Sequence, residues 1–334
     1  MSGTLPSVDS AAAEIAPPPA PSPRLRGYLL PLALFALFAI VPAFAHHGGE
    51  GYVLSLLLRV MILAIGAMSL DLILGYGALI SFGHAAFLGI GAYAVGILMS
   101  YGIDDAFAQL AAALAASALF ALVTGAISLR TKGVYFIMIT LAFGQMLYFL
   151  ATSLASYGGD DGMTLPRKSV VFGTKLLEQG YSFYYVVLAC LIGAYFLCRA
   201  IVASRFGRVL RGTRENPVRM QAIGFGPFAY QLTAYVIAGT LCGLAGFLLA
   251  NQTEFVSPAF MTWQRSGELI VMVILGGLGT LHGAIVGAAA FVLLEEGLSQ
   301  ITELWKMIFG PMLVLVVLFA RGGILGFFRR GGRG

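Results

Sequence analysis

YVLSLLLRVMILAIGAMSLDLIL, residues 52–74, carries two charges and no proline. An α-helix rises about 1.5 Å per residue, so the roughly 30 Å hydrocarbon core of a bilayer takes about 20 apolar residues. The run fits that length and has no polar face to offer water. Nine further segments have the same character: residues 28–45, 84–103, 106–128, 133–155, 180–203, 228–250, 264–278, 281–299 and 304–320. Of these, 264–278 is the least apolar span. The chain is 59% hydrophobic and 10% charged, against about 25% charged in soluble domains. A water-exposed surface cannot be built from it, and the sequence predicts an all-α integral membrane protein of ten transmembrane helices.

The basic residues set the threading. Arg24 and Arg26 precede the first span, and Arg130 with Lys132 separates the fourth from the fifth. Arg205, Arg208, Arg211, Arg214 and Arg219 follow the sixth, and Arg321, Arg329, Arg330 and Arg333 close the chain. Ten spans place all of these on one side and leave Arg167, Lys168, Lys175, Arg265 and Lys306 near the other. That satisfies the positive-inside rule with both termini cytoplasmic. A count of nine or eleven would put one terminal arginine group outside. The formal charge of +5 therefore reads as topology, not as a nucleic-acid footprint.

In this threading spans 2–5 begin outside and spans 7–10 begin inside, the layout of an inverted repeat. A faint echo accompanies it, between Gly75, Tyr76, Gly77, Gly83 and His84 in one block and Gly276, Gly277, Gly279, His282 and Gly283 in the other. Paired glycine-interrupted segments point to a binding or gating region near the midplane. Glycine at tight helix crossings accounts for the same residues. Residues 1–27, rich in Ala, Pro and Ser, read as a disordered cytoplasmic tail and not a signal peptide. The transmembrane body is then 28–320, with a basic tail at 321–334.

Outside the spans the most distinctive stretch is SRFGRVLRGTRENPVRMQAIGF, 204–225. Its cations at 205, 208, 211 and 214 recur every third residue between Phe206, Val209 and Leu210, and Glu215, Asn216 and Pro217 interrupt the run. Two short amphipathic helices at a turn are expected, fit for the groove of a cytosolic partner. Binding of the charges to anionic lipid headgroups is the alternative.

Within the spans, Arg59 and Asp71 stand twelve residues apart on span 2, about 18 Å along a helix and too far to pair. Each is expected to face the bundle interior, paired with another helix. His84 and Ser81 follow a break in the helical pattern. Free backbone amides at a helix start there could hold a solute carboxylate; equally, His84 could act only as a cap. Glu295 and Glu296 sit late in span 9, where a proton relay is the functional reading and interior packing the structural one. Tyr93, Tyr135, Thr140 and Gln145 are candidates for a pathway lining, as polar groups that need an interior partner.

The chemistry that is missing bounds the function. Cys190, Cys198 and Cys242 show no CxxC spacing. No His, Cys or carboxylate stands at metal-ligand spacing around His84 or His282, and the Gly158–Gly162 segment with Asp160 and Asp161 lacks the spacing of a calcium loop. No GxxxxGK[ST] phosphate loop and no hydrolase constellation occurs. No cofactor or metal is expected, and any ATP that drives the protein binds another chain.

Several stretches resemble the permeases of branched-chain amino acid ABC importers: GYGALISFGHAAFLGIGAY at 75–93, RTKGVYFIMITLAFGQMLYFLA at 130–151, GGDDGM at 158–163 and the basic stretch at 204–225. AYVIAGTLCGLAGFLLA at 234–250 and GGLGTLHGAIVGAAAF at 276–291 extend the likeness over about 52–328. The resemblance implies a bacterial inner-membrane subunit paired with a second permease, two cytosolic ATP-binding subunits and a periplasmic solute-binding protein. It gives 204–225 the role of a coupling helix, carried by Arg205, Gly207, Arg208, Arg211, Arg214, Glu215, Asn216, Arg219, Ala222 and Gly224. The glycine-interrupted segments and the helix break before His84 make Gly75, Ser81, Gly83, His84, Gly276 and Gly277 candidate pathway residues. One departure stands out: where such permeases carry Gly and Gln within GYxGQxSxGH, this chain has Ala78 and Leu79. The solute is then a branched-chain amino acid or a related small polar molecule such as urea, an amide or an organic acid. A self-sufficient channel for a small neutral solute is the rival, and it gives the basic stretch nothing to do. An intramembrane enzyme built on His84 or Glu295 is a second rival, and it requires a catalytic pair in space.

Overall fold

The structure, a computed structural model, describes residues 26–48, 51–171, 173, 174, 177, 180–301, 304, 307–311, 323 and 324. Among the described residues eleven bounded α-helices follow one another: α1 Arg26–Gly48, α2 Gly51–Gly77, α3 Ala85–Ser100, α4 Ala106–Ser128, α5 Val134–Ser153, α6 Gly180–Ala203, α7 Arg205–Glu215, α8 Pro217–Ala222, α9 Pro227–Thr253, α10 Trp263–Gly276 and α11 Leu281–Ile301; residues 307–311 are helical as well. Six of them, α2, α4, α5, α6, α9 and α11, are long and apolar enough to cross a bilayer. The protein is a multi-pass, all-α membrane protein. Among the described residues its strand content is one two-residue pairing, β1 Met163–Thr164 antiparallel to β2 Phe255–Val256.

Nine of the segments read as spans coincide with helices, and two of them, 106–128 and 180–203, share the helix boundaries. The segment 264–278 yields α10, which stops at Gly276 because Gly277 turns the chain at φ 116°. The tenth segment, 304–320, falls mostly outside the described residues, as do most of the two tails.

The centre of the bundle is α2 against α9. From Val60 to Gly77 every residue of α2 is buried, which explains why its sequence is apolar all round and not striped. α3 and α4 pack on α9, α10 and α11 pack on α2, and α6 lies on the remaining side of α2. Small residues allow the closest of these crossings. A Cβ on Gly91 of α3 would lie 2.0 Å from the Gly243 carbonyl oxygen of α9, so the two backbones touch there. α5 stands apart and turns Val134, Met138, Met146, Phe149 and Leu150 outward.

The loops gather at two opposite ends. The α2–α3 turn, the loop 129–133, α7, α8 and the start of α9 border a single cleft. At the other end β1–β2 is joined to neighbouring loops: Leu165 N donates to Glu254 O over 2.8 Å, Val170 N to Asp104 O over 2.7 Å and Ser169 N to Asn251 Oδ1 over 2.8 Å. Charge differs between the ends. At the β1–β2 end Arg167 pairs with Asp104, Lys168 with Glu254 at 3.6 Å and Arg265 with Glu268 at 2.7 Å. At the α7–α8 end no ion pair forms among the described residues, and Arg130, Lys132, Arg205, Arg208, Arg211, Arg214 and Arg219 are all exposed.

Candidate functional site

The α7–α8 element is built by two caps. Ser204 Oγ accepts from Gly207 N at the start of α7, and Asn216 Oδ1 accepts from Arg219 N over 3.0 Å at the start of α8, where Pro217 occupies the first helical position. These side chains satisfy amide groups that a helix start leaves open. The three-residue period of the arginines drifts only slowly around a helix that turns every 3.6 residues. One face of α7 therefore buries Gly207, Val209, Leu210 and Thr213 on α2, α6 and α9 while Arg205, Arg208 and Arg211 stay on the exposed side. Helix α8 buries nothing: Val218 is 69% and Ile223 61% exposed, beside exposed Phe225. Glu215, Asn216, Arg219, Ala222 and Gly224 lie on that open surface, and Gly224 ends it at φ 90°.

One arginine points inward. Arg214 Nη1 donates to the carbonyl of Gly75 in the last turn of α2, and one turn earlier lies Asp71, fully buried. Asp71 Oδ1 accepts from the backbone N–H of Gly279, in the α10–α11 turn, over 2.8 Å. Gly75 makes this junction possible: a Cβ there would lie 2.2 Å from Asp71 Oδ1 and 2.5 Å from Gly279 N. The surface helix, the end of α2 and the α10–α11 turn thus form one contiguous contact.

The glycine echo has a different meaning in three dimensions. Gly75–Gly77 closes the first helix of its block, whereas Gly276–Gly279 lies one junction later in the other. The two segments do not occupy equivalent places; they pack against each other. Gly276 sits against the Gly283 carbonyl, and Gly277 caps α10.

Helix α2 ends in an αL cap, in which Ala78 N donates to Leu74 O (3.2 Å), and Leu79 N reaches back to Ile73 O (3.0 Å). That motif needs a left-handed residue at 78, and Ala78 adopts φ 55°. The departure from glycine noted in the sequence therefore falls on a position where an L side chain is strained. Ala78 and Leu79 line the cleft at this end, about 350 Å³, together with Lys132, Arg214, Gln221 and Gln231.

His84 does not open a solute site. The first amides of α3 are all used: Ala85 N by Ser266 Oγ (3.0 Å), Ala86 N by Gly83 O (3.1 Å) and Phe87 N by the His84 carbonyl (3.2 Å). The His84 side chain is fully buried, with Nε2 2.9 Å from Ser69 Oγ. Ser69 donates its own hydroxyl proton to Gly66 O over 2.7 Å, so Ser69 accepts from His84 and the proton sits on Nε2. His84 Nδ1 is buried without a partner. Nor does the side chain cap α3. It ties α2 to α3, a contact signalled in the sequence only by a polar residue inside span 2.

The remaining candidates separate. Ser81 is buried in the turn, and Gly83 lies against the Thr140 carbonyl of α5. Thr140 is buried and returns its hydroxyl to Ile137 O. Tyr93 is buried in α3 with its hydroxyl unpartnered. Gln145 is half-buried, whereas Tyr135 is 76% exposed on the outer side of α5 and finds no interior partner in this chain. Arg59 is paired with Glu295 of α11, Nη2 lying 3.0 and 2.9 Å from the two carboxylate oxygens. Glu296 accepts from the Tyr52 hydroxyl. The two intramembrane charges of span 2 are thus both held by the α10–α11 arm, and Glu295 and Glu296 have separate partners instead of each other. Among the described residues no three His, Cys, Asp or Glu gather as metal ligands.

Residues 52–317 match the family described as the branched-chain amino acid transport system permease component. The chain belongs to that family. The high-affinity branched-chain amino acid transport system permease protein LivM of Escherichia coli K12 is 27% identical over 319 residues, covering 88% of this chain and 74% of the relative. LivM of Salmonella typhimurium LT2 is 26% identical over 317 residues, with the same coverage. The autoinducer 2 import system permease protein LsrC of Enterobacter sp. 638 is 26% identical over 318 residues, 90% of this chain and 86% of the relative. No solved structure matches the chain.

Proposed function

We propose that this chain is a translocation subunit of an ATP-driven importer, carrying branched-chain amino acids or a related small polar solute inward by alternating access. The observation that carries the reading is the α7–α8 element: arginines without a carboxylate partner among the described residues and exposed Val218, Ile223 and Phe225 on its open side, and a hydrogen bond from Arg214 into the end of α2 on the other. A surface that presents both charge and apolar anchors suits a protein groove better than headgroups alone. Two cytosolic ATP-binding subunits dock there, and their motion enters the bundle through Arg214, Gly75 and the α10–α11 turn. A second permease of the same family completes the pore, and a periplasmic binding protein delivers the solute. No bond is made or broken on this chain, and no cofactor is needed. That a relative is named for autoinducer 2 import leaves the family's scaffold open to more than one solute, so specificity rests largely with the binding protein.

The sidedness follows from charge. Cations without carboxylate partners crowd the α7–α8 end, and those at the opposite end have carboxylates beside them, which supports reading the former as the cytoplasmic side of a bacterial inner membrane. Both termini then lie inside, with 304–320 as the tenth span and spans 2–5 and 7–10 as inverted blocks. The test is vesicle uptake. Co-reconstituted with the ATP-binding subunits and the binding protein, the permease pair is expected to accumulate leucine with ATP. Charge reversal of Arg205, Arg208 and Arg211 abolishes the accumulation and detaches the ATPases. Passive leucine flux through this chain alone would refute the importer and favour a channel.

A further inference from the structure

At the end of the bundle opposite α7–α8, a cavity of about 400 Å³ opens between α2, α3, α9, α10 and α11, within the size range of small-ligand sites. Its floor is Leu63, Leu88 and Leu249, all buried, with Phe260 on the wall. Above that floor stand Arg59, Arg265 and Glu296. Ionised groups within a membrane bundle are costly and read by default as candidates for a ligand or ion path.

The pairing of the two cations leaves them competent to bind. Arg59 contacts Glu295 through Nη2 alone, and Arg265 contacts Glu268 through Nη1 alone. A guanidinium carries five N–H donors in a planar fork, so each retains donors suited to a carboxylate. Including the partners, the local charges are Arg59 and Arg265 against Glu268, Glu295 and Glu296, one negative charge in excess. A simple anion gains little there. A zwitterion gains twice, its carboxylate at the arginines and its ammonium at the glutamates. The floor then discriminates within that class. Three leucines and a phenylalanine offer dispersion to an aliphatic side chain, while Tyr52, Ser55, Gln252 and Thr253 complete the lining beside the charges, with Gln252 Oε1 buried, unpartnered and placed to accept from an ammonium.

We propose that this cavity is the chain's own binding site for an α-amino acid with an aliphatic side chain, the α-carboxylate held by Arg59 and Arg265, the ammonium by Glu296, and the side chain on Leu63, Leu88 and Leu249. The proposal rests on the importer reading and deepens it: the solute is received here on its way from the binding protein.

The experiment is photolabelling of the full chain in lipid nanodiscs with a diazirine analogue of leucine, read by peptide mass spectrometry. Adducts are expected on the peptides containing residues 52–63 and 249–265, displaced by excess L-leucine and not by L-glutamate. Arg265→Gln is expected to weaken displacement by leucine about tenfold, the loss of one or two hydrogen bonds to a charged group, and Arg265→Lys to recover part of it. Leu249→Phe, which keeps every charge and shrinks the floor, is expected to disfavour leucine against alanine as competitor. Adducts elsewhere, or adducts at these peptides that leucine does not displace, would overturn the site. Failure of the site and of the importer are distinguishable. If the assembled complex carrying Arg265→Gln takes up leucine with wild-type kinetics, the site is wrong and the importer stands. If labelling is specific but the wild-type complex shows no ATP-dependent uptake, the site stands and the importer is wrong.

Discussion

Gly75→Ala is a one-methyl change whose effect can be worked from the geometry. The new Cβ would lie 2.2 Å from Asp71 Oδ1, 2.5 Å from Gly279 N and 2.7 Å from Gly279 Cα. Ordinary contact distances between such atoms are about 3.5 Å, so either the carboxylate or the α10–α11 turn must move by about 1 Å. Asp71 cannot swing away freely, because it is fully buried on α2. The turn yields instead, and the 2.8 Å hydrogen bond from Gly279 N to Asp71 breaks. Overpacking of this kind costs about 1–3 kcal/mol, and a buried acceptor that loses its donor about 1–3 kcal/mol more. The two overlap, since breaking the bond relieves the clash, and a net loss of about 2–4 kcal/mol is expected. The matched control is Gly77→Ala, two residues on, whose Cβ would meet nothing closer than 3.6 Å, a methyl of Leu210. Amide hydrogen exchange reads local opening directly. In Gly75→Ala the amides of 277–281 are expected to exchange about 30-fold to 1000-fold faster, by the tenfold per 1.4 kcal/mol rule. In Gly77→Ala they are expected to exchange at the wild-type rate. Equal exchange in the two variants would refute the contact and with it the route from α7 into the bundle.

Further outcomes follow from individual contacts. Ala78→Gly is expected to stabilise the chain by about 1 kcal/mol, by relieving a left-handed alanine, and a shift in melting temperature in detergent checks it. Arg59→Gln strands Glu295 and is expected to lower stability by about 1–3 kcal/mol, whereas Arg59→Gln with Glu295→Gln is expected to recover most of the loss, as a double-mutant cycle measures. Asn216→Ala removes the cap of α8 and is expected to cost that helix about 1 kcal/mol, read as weaker association with the ATP-binding subunits while the melting temperature of the isolated chain barely moves. Ser69→Ala leaves the Nε2 proton of His84 unpaired inside the bundle and is expected to cost about 1–3 kcal/mol; His84→Gln, which can still donate to Ser69, is expected to cost less.

Helix positions were legible because lipid selects for length and apolarity, and 106–128 and 180–203 coincide with helix limits, although six of the described helices are long and apolar enough to cross by themselves. The turn between α7 and α8 was equally readable, since Asn216 and Pro217 are capping chemistry that acts over three residues. Contacts between distant segments were not. That Arg59 and Asp71 need interior partners follows from their cost in lipid. That Glu295 and the Gly279 amide supply them depends on how α11 packs on α2, more than 200 residues away in the chain. His84 misled for a related reason: the sequence marks a helix start, and only the fold shows Ser266 and the preceding turn using its amides. The outer cavity escaped notice because its leucines are indistinguishable from ordinary span residues. Its arginines, at 59 and 265, come together only when α2 and α10 are placed side by side.

The central claim is that this chain moves solute only when cytosolic partners drive it through α7–α8. The direct measurement is leucine uptake into proteoliposomes holding the permease pair, with the binding protein supplied at the outer face, with and without the ATP-binding subunits and ATP. The account predicts accumulation against a gradient when all are present, no flux when the ATP-binding subunits are omitted, and loss of accumulation with retained ATP hydrolysis when Arg214→Ala severs the link to Gly75. Leucine flux at a similar rate without the ATP-binding subunits, or full accumulation by the Arg214→Ala complex, would contradict it.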